Sequence, residues 1–357
     1  MPNAPTPAEL PLSDFRPRSM LRVPTHPVAH PRHPVIDLHN HSQWGGQWQV
    51  TDVPALVDEM DAAGVAAMVD LDGGSGARLA AHLERFRGPY PSRFAVFATV
   101  DWDHALRDEA FGERLTRELR QALDDGAEGL KVWKDVGLTR RTPDGQRLAL
   151  SDPRLDGLWA TCGERGVPIM IHVADPMAFF EPLDATNERY EELVRHPDWH
   201  FYGPGVPRHA DLIGDWEAVM ARHPQTRFIG AHVASCAEDL ALASALLARH
   251  PNLTVDIAAR TAELGRQPYT AHDFLEAHRG RVAFGLDDWP ATREDYRTVY
   301  RMLETRDEYF DYSPGQARHP GLQGRWKIYG LDLSSEALAA LYHETALTLL
   351  PRLGPLH

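Results

Sequence analysis

Two cysteines in 357 residues, Cys162 and Cys236, cannot build a disulfide framework, and their spacing fits no cysteine-type metal site. A reducing, cytoplasmic setting is the simplest fit. No run approaches the roughly 20 apolar residues of a membrane span. The proline-rich residues 1–32 hold no apolar segment of the kind a secretory signal needs. Positive charge is scarce: 37 Lys and Arg against 51 Asp and Glu leave a formal net charge of −14. Phosphate backbones need a basic face, so no nucleic-acid partner is expected, and no membrane partner either. An anionic small substrate stays open, because it responds to local charge. No phosphate-binding glycine loop, dinucleotide fingerprint or Gly-x-Ser-x-Gly elbow occurs.

What the chain does have is alternation. After an extended arm over 1–32, with prolines at 24, 27 and 31, short apolar runs alternate with helical patterns. That order predicts βα units and a parallel sheet. The predicted strands are 34–39, 65–70, 94–100, 128–133, 167–173, 226–232, 253–258 and 281–286. Helices are predicted between them, for example over 211–222, where Leu212, Ile213, Trp216, Val219 and Met220 recur at helical spacing. Pro54, just after Thr51 and Asp52, suits a first helical turn. Eight strands with intervening helices make a (β/α)₈ TIM barrel, here one domain over 33–357. The one long departure is an insertion after the fifth strand, 174–210, rich in aromatics and read as a partial lid whose rings form its own core. Lesser departures are 137–150 and 305–335, the latter with Pro314, Gly315, Pro320, Gly321 and Gly324. A closing helix is predicted over 336–350.

Chemistry concentrates at strand ends, which in this fold share one face. Val35-Ile36-Asp37-Leu38-His39-Asn40-His41 ends in two histidines at i and i+2, on the same face of a strand. His172, His232 and Asp287 end the fifth, sixth and eighth strands. Four histidines and an aspartate suit zinc first, and manganese or iron less selectively. A bound divalent ion lowers the pKa of water from about 15.7 to about 7. At about 1.36 kcal/mol per unit that is roughly 12 kcal/mol of hydroxide stabilisation, beyond what side chains alone supply. Most of the nineteen histidines need no such role. His26, His30, His33, His196, His200, His223 and His250 read as surface or structural groups. Asp70-Leu71-Asp72-Gly73-Gly74-Ser75-Gly76 has the look of a calcium loop, but its twelfth position is Ala81 rather than Glu. It reads as the loop after strand two, with backbone amides that could line the site.

Asp37-Leu38-His39-Asn40-His41, Ile171-His172, Gly230-Ala231-His232 and Gly285-Leu286-Asp287, in that order, resemble the amidohydrolase superfamily. The likeness is to its amidohydrolase-related branch of metal-dependent hydrolases and decarboxylases. It spans roughly residues 33 to 350, the closing helix included. The resemblance implies one metal ion held by His39, His41, His172 and Asp287. It also implies that His232 contacts substrate or moves protons, and that Asp287 doubles as general base. In binuclear relatives a lysine near Lys131 is carboxylated and bridges two metals. The branch resembled here usually holds one, so Lys131 is read as a substrate-anion ligand and a second metal is not expected. Lys134, three residues on, is placed on the opposite face.

The expected activity is metal-dependent hydrolysis, with activated water attacking the carbonyl of an amide, lactone or ester of a small molecule. Non-oxidative decarboxylation on the same site is the alternative, and a non-catalytic binding barrel the second. The arm and the insertions make a homodimer the expected assembly.

Overall fold

The computed structural model describes residues 10, 11, 14, 15, 17–288, 291–313, 323–354 and 356. Eight parallel strands appear in the predicted places: β1 (Val35–Asn40), β2 (Val65–Asp70), β3 (Phe94–Val96), β4 (Leu130–Val132), β5 (Ile169–Ile171), β6 (Phe228–Gly230), β7 (Leu253–Asp256) and β8 (Val282–Ala283). They pair in the orders β1-β2-β3 and β4-β5-β6-β7-β8. Backbone hydrogen bonds cross both seams. Ala98 N–H donates to Gly129 O at 2.9 Å and Lys131 N–H to Ala98 O at 2.8 Å, tying β3 to β4. Leu38 N–H donates to Phe284 O at 3.1 Å and Asp287 N–H to His39 O at 2.8 Å, tying β1 to the end of β8. The chain is an α/β protein of the TIM-barrel class.

Strand alternation sorts the core into two layers. Ile36, Leu38, Ala67, Val69, Ala95, Phe97, Met170, Ile229 and Ala283 pack inside the barrel, with Leu349, Leu350 and Leu353 of the closing segment. Val65, Phe94, Leu130, Val132, Ile169, Ile171, Phe228, Leu253 and Val255 face outward against the helices. Lys131 and Asp256, the polar neighbours of outward residues on β4 and β7, therefore belong to the inward set. In β1 the pairing with β2 shifts register between Asp37 and Asn40. An irregularity of that kind changes the phase of alternation. It lets Ile36 and Leu38 fill the interior while His39 and His41 still reach the site above them.

Helix α1 (Val53–Ala63) starts as expected, with the Asp52 side chain accepting from Ala55 N–H at 3.0 Å and proline in the first turn. Such a cap is worth about 1 kcal/mol. The predicted helix after the insertion is His209–Arg222. The closing helix is not uniform. Ser335–Ala339 and Thr345–Leu349 are joined by a π-helical turn over Ala340–Glu344, and Phe284 N–H reaches Leu341 O at 2.8 Å. Residues 26–32 of the arm bind their own chain: His26 N–H donates to Asp307 at 2.7 Å and Arg32 N–H to Glu304 at 3.1 Å. Phe179, Phe180 and Leu193 of the insertion are buried, while Tyr190 and Tyr202 are exposed. Pro314, Gly315, Pro320 and Gly321 lie outside the described residues. Among the described residues no helix is long and apolar enough to cross a membrane.

Candidate metal centre

His39, His41 and Asp287 converge: one ligand atom from each lies within 4.8 Å of the others. Asp287 Oδ1 is 3.4 Å from His41 Nε2 and 3.7 Å from His39 Nε2, and its Oδ2 is 3.7 Å from His232 Nε2. Two ligands each about 2.1 Å from one ion at a tetrahedral angle stand about 3.4 Å apart. These separations fit that arrangement. His172 sits beside the group, its ring edge-on to His232 at 4.4 Å between centroids. Gly285 makes room, because a Cβ there would lie 2.9 Å from His39 Cβ.

The histidines are held by their other nitrogens. His39 Nδ1–H donates to Asp256 Oδ2 at 2.8 Å and His41 Nδ1–H to Asp72 Oδ1 at 2.9 Å. His232 Nδ1–H donates to Ala258 O at 2.8 Å. Because these partners only accept, all three rings are fixed with the Nε2 lone pair toward the centre. Asp72 also accepts from the Ser42 and Gln43 amides at 2.8 and 2.9 Å. The loop after β2 thus contributes the Asp72 carboxylate to the support of the site.

The site is largely buried, and its protonation states follow from that. Burial, with the charges of Lys131 and His41 adding, drives His39 well below the usual histidine range. Burial likewise lowers His232 well below it and takes His172 to about 4. All three are neutral near pH 7, the form that ligates. Burial raises the Asp287 carboxyl above its ordinary value, so it is a better base than an exposed aspartate. Burial pushes Asp256 up to about 6 and Asp37 to about 7. Burial opposes ionisation of Asp175 too, but the adjacent His172 ring and the charge of Lys134 bring it down to about 2.

Two observations show that the donor set suits a cation. His39 Nε2 already accepts from a positive group, Lys131 Nζ at 3.2 Å. His172 Nε2 is buried without a hydrogen-bond partner, its nearest carboxylate oxygen, on Asp175, lying at 3.5 Å. Lys131 is fully buried, and burial lowers it to about 8. Lys134 does not turn away as strand alternation predicts. Beyond the end of β4 it pairs with Asp175, so both lysines border the site.

The chain after β6 is the least expected part. The predicted strand 226–232 stops at Gly230, and His232, Val233, Ala234 and Ser235 are all left-handed, with φ from 57° to 61°. Left-handed residues other than glycine cost about 1–2 kcal/mol each. Partners hold the turn: His232 N–H donates to Asp256 at 2.7 Å, Ser235 Oγ accepts from Ala174 N–H at 3.1 Å, and His209 Nε2 donates to Ser235 O at 2.8 Å. Asp287 is left-handed as well, at φ 62°. Strain gathered at the two residues that face each other marks a site the rest of the fold supports.

No curated protein matches the chain. Solved structures share its fold. A TIM-barrel protein from Bordetella bronchiseptica is 14% identical, with TM-score 0.55, over 90% of this chain and 100% of its own. A 2,6-dihydroxybenzoate decarboxylase from Rhizobium is 18% identical, with TM-score 0.55, over 90% and 100%. A dihydroxybenzoic acid decarboxylase from Polaromonas, with bound manganese and 2-nitroresorcinol, is 16% identical, with TM-score 0.54, over 90% and 97%. The amidohydrolase-2 family model matches residues 36–352. With nearly the whole barrel inside that match, the chain belongs to the amidohydrolase-2 family.

Proposed function

We propose that this barrel is a metal-dependent hydrolase of a small molecule bearing an amide, lactone or ester carbonyl. The observation that carries the reading is Asp287: a largely but not fully buried carboxylate of raised basicity, within 3.7 Å of the Nε2 atoms of His39, His41 and His232. His39, His41, His172 and Asp287 would hold one divalent cation, zinc first and manganese or iron next. When bound, such a cation lowers the pKa of a water and polarises a carbonyl. Asp287 takes the proton that the water gives up. His232, fixed by Ala258 O and facing Asp287, hydrogen-bonds the substrate and passes the proton toward the leaving group. Lys131, whose Nζ lies among these groups, pairs with negative charge on the substrate.

The test is turnover of lactone, amide, ester and aromatic carboxylate panels by the metal-loaded protein in ¹⁸O-labelled water. Hydrolysis places the label in the product acid. Release of carbon dioxide with no label incorporated would replace this reading by decarboxylation on the same site.

The carboxylates behind the histidines carry a separate expectation. Asp72→Asn and Asp256→Asn each leave the ring nitrogens of the site in place but lose the anionic acceptor that orients one of them. Outer-sphere changes of this kind cost about 10–100-fold in metal affinity. Titration of each variant with Zn²⁺ or Mn²⁺ measures it, and an unchanged affinity would reduce these aspartates to packing.

A further inference from the structure

Behind His41, the side chains of Ser42, Asp70 and His82 meet in a second buried cluster. Asp70 ends β2, and His82 ends the helix Gly76–His82 that follows the next loop. His82 Nδ1–H donates to Asp70 Oδ2 at 2.5 Å. Asp70 Oδ1 accepts from Ser42 Oγ–H at 2.8 Å and from Asp72 N–H at 3.3 Å.

The set has the residue types of a serine nucleophile but not its connections. In such a triad one ring nitrogen faces the acid and the other faces the serine. Here Ser42 Oγ–H goes to Asp70, and Oγ lies 3.5 Å from Nδ1, the nitrogen already given to the acid. His82 Nε2 is sealed, with no hydrogen-bond partner among the described residues. That orphan nitrogen tells against packing as the role of His82. Trp48 and Phe86 lie against its ring, 4.5 and 6.2 Å between centroids. A phenylalanine in the same pocket would leave no buried polar atom unsatisfied, and an unsatisfied one is costly. What the imidazole adds there is its Nδ1–H to Asp70.

From Asp70 the contacts lead to His41. Asp72 accepts from His41 Nδ1–H and from the Ser42 and Gln43 amides. Asp70 therefore grips both halves of that arrangement, the Asp72 backbone and the Ser42 side chain next to His41. Ser42 O in turn accepts from Gln49 N–H at 2.9 Å and Val50 N–H at 3.3 Å. These bonds close the hairpin of Gln43–Trp44 with Gln47–Trp48, whose Trp48 covers His82.

We propose that Asp70 and His82 are positioning residues of the metal centre, acting on the His41 ring through Ser42 and Asp72. This rests on the reading of His39, His41 and Asp287 as metal ligands, and it adds the support that sets one of them. His82 fixes the Asp70 carboxylate, Asp70 fixes Asp72, and Asp72 aims His41 Nε2.

The experiment measures Zn²⁺ affinity and the visible spectrum of the Co²⁺-loaded protein in wild type, His82→Phe, His82→Asn and Asp70→Asn. His82→Phe is expected to weaken Zn²⁺ binding about tenfold, the low end for outer-sphere changes, and to shift the Co²⁺ spectrum. Its Tm should be unchanged or raised, since the orphan nitrogen is gone. Asp70→Asn should weaken binding as well. His82→Asn, whose amide N–H can stand near the Nδ1 position, should restore most of the affinity and the wild-type spectrum. Adding His82→Phe to Asp72→Asn should cost little more than Asp72→Asn alone, because both changes break one chain. Wild-type affinity and spectrum in His82→Phe would overturn the proposal. So would full additivity with Asp72→Asn, or a loss that His82→Asn does not repair. A wild type that takes up no ion would remove the metal reading itself, and this proposal with it; a wild type that binds ions no better than His82→Phe removes this proposal alone.

Discussion

Asp287→Asn is expected to lower kcat by about 10²–10⁴, the range for losing a positioned general base, while the protein still takes up a divalent ion through His39, His41 and His172. Asparagine keeps the shape and one oxygen of the side chain but cannot take a proton. The pH profile separates this from a merely structural effect. Burial holds the Asp287 carboxyl above its ordinary value in the folded protein. Protonation of Asp287 switches off the wild-type rate as pH falls. That acid limb should vanish in the variant. A kcat within about tenfold of wild type would mean that another group handles the proton.

The second large effect is metal removal. Chelation should lower activity by about three orders of magnitude or more, since the ion supplies several kcal/mol of charge stabilisation and each 1.36 kcal/mol is a factor of ten. Adding back Zn²⁺ or Mn²⁺ should restore it. Acid alone should act late. Ordinary histidines protonate near 6.5 and release a metal there. Here burial depresses His172 to about 4 and takes His39 lower than its usual range. A depressed value keeps the ring neutral, and so able to ligate, as pH falls through 6.5. Metal should stay bound at about pH 5.5 and leave as pH approaches the depressed values. Loss of metal centred near 6.5 would contradict the burial argument.

The histidines and Asp287 were legible because each ends an apolar run, and a barrel gathers strand ends on one face. Lys131 was legible as a site residue because it lies on the predicted fourth strand. The supporting carboxylates were not. Asp72 meets His41 across 31 positions, and Asp256 meets His39 across 217, so no local spacing links them. A signal was available, since Thr254 and Asp256 occupy inward positions of β7 where a core strand would carry apolar residues. The left-handed turn over His232–Ser235 had no signal at all. Val233, Ala234 and Ser235 are not residues that favour that backbone, and tertiary hydrogen bonds impose it. Nor could alternation foresee the register shift in β1, which places Leu38 and His39 both in use.

The most direct measurement is elemental analysis of the purified protein beside a His39→Ala, His41→Ala variant. The site geometry predicts about one divalent ion per folded wild-type chain and almost none in a variant that keeps its circular dichroism. Equal metal content in the two proteins, or none in either after incubation with Zn²⁺ and Mn²⁺, would contradict a metal centre at the end of β1.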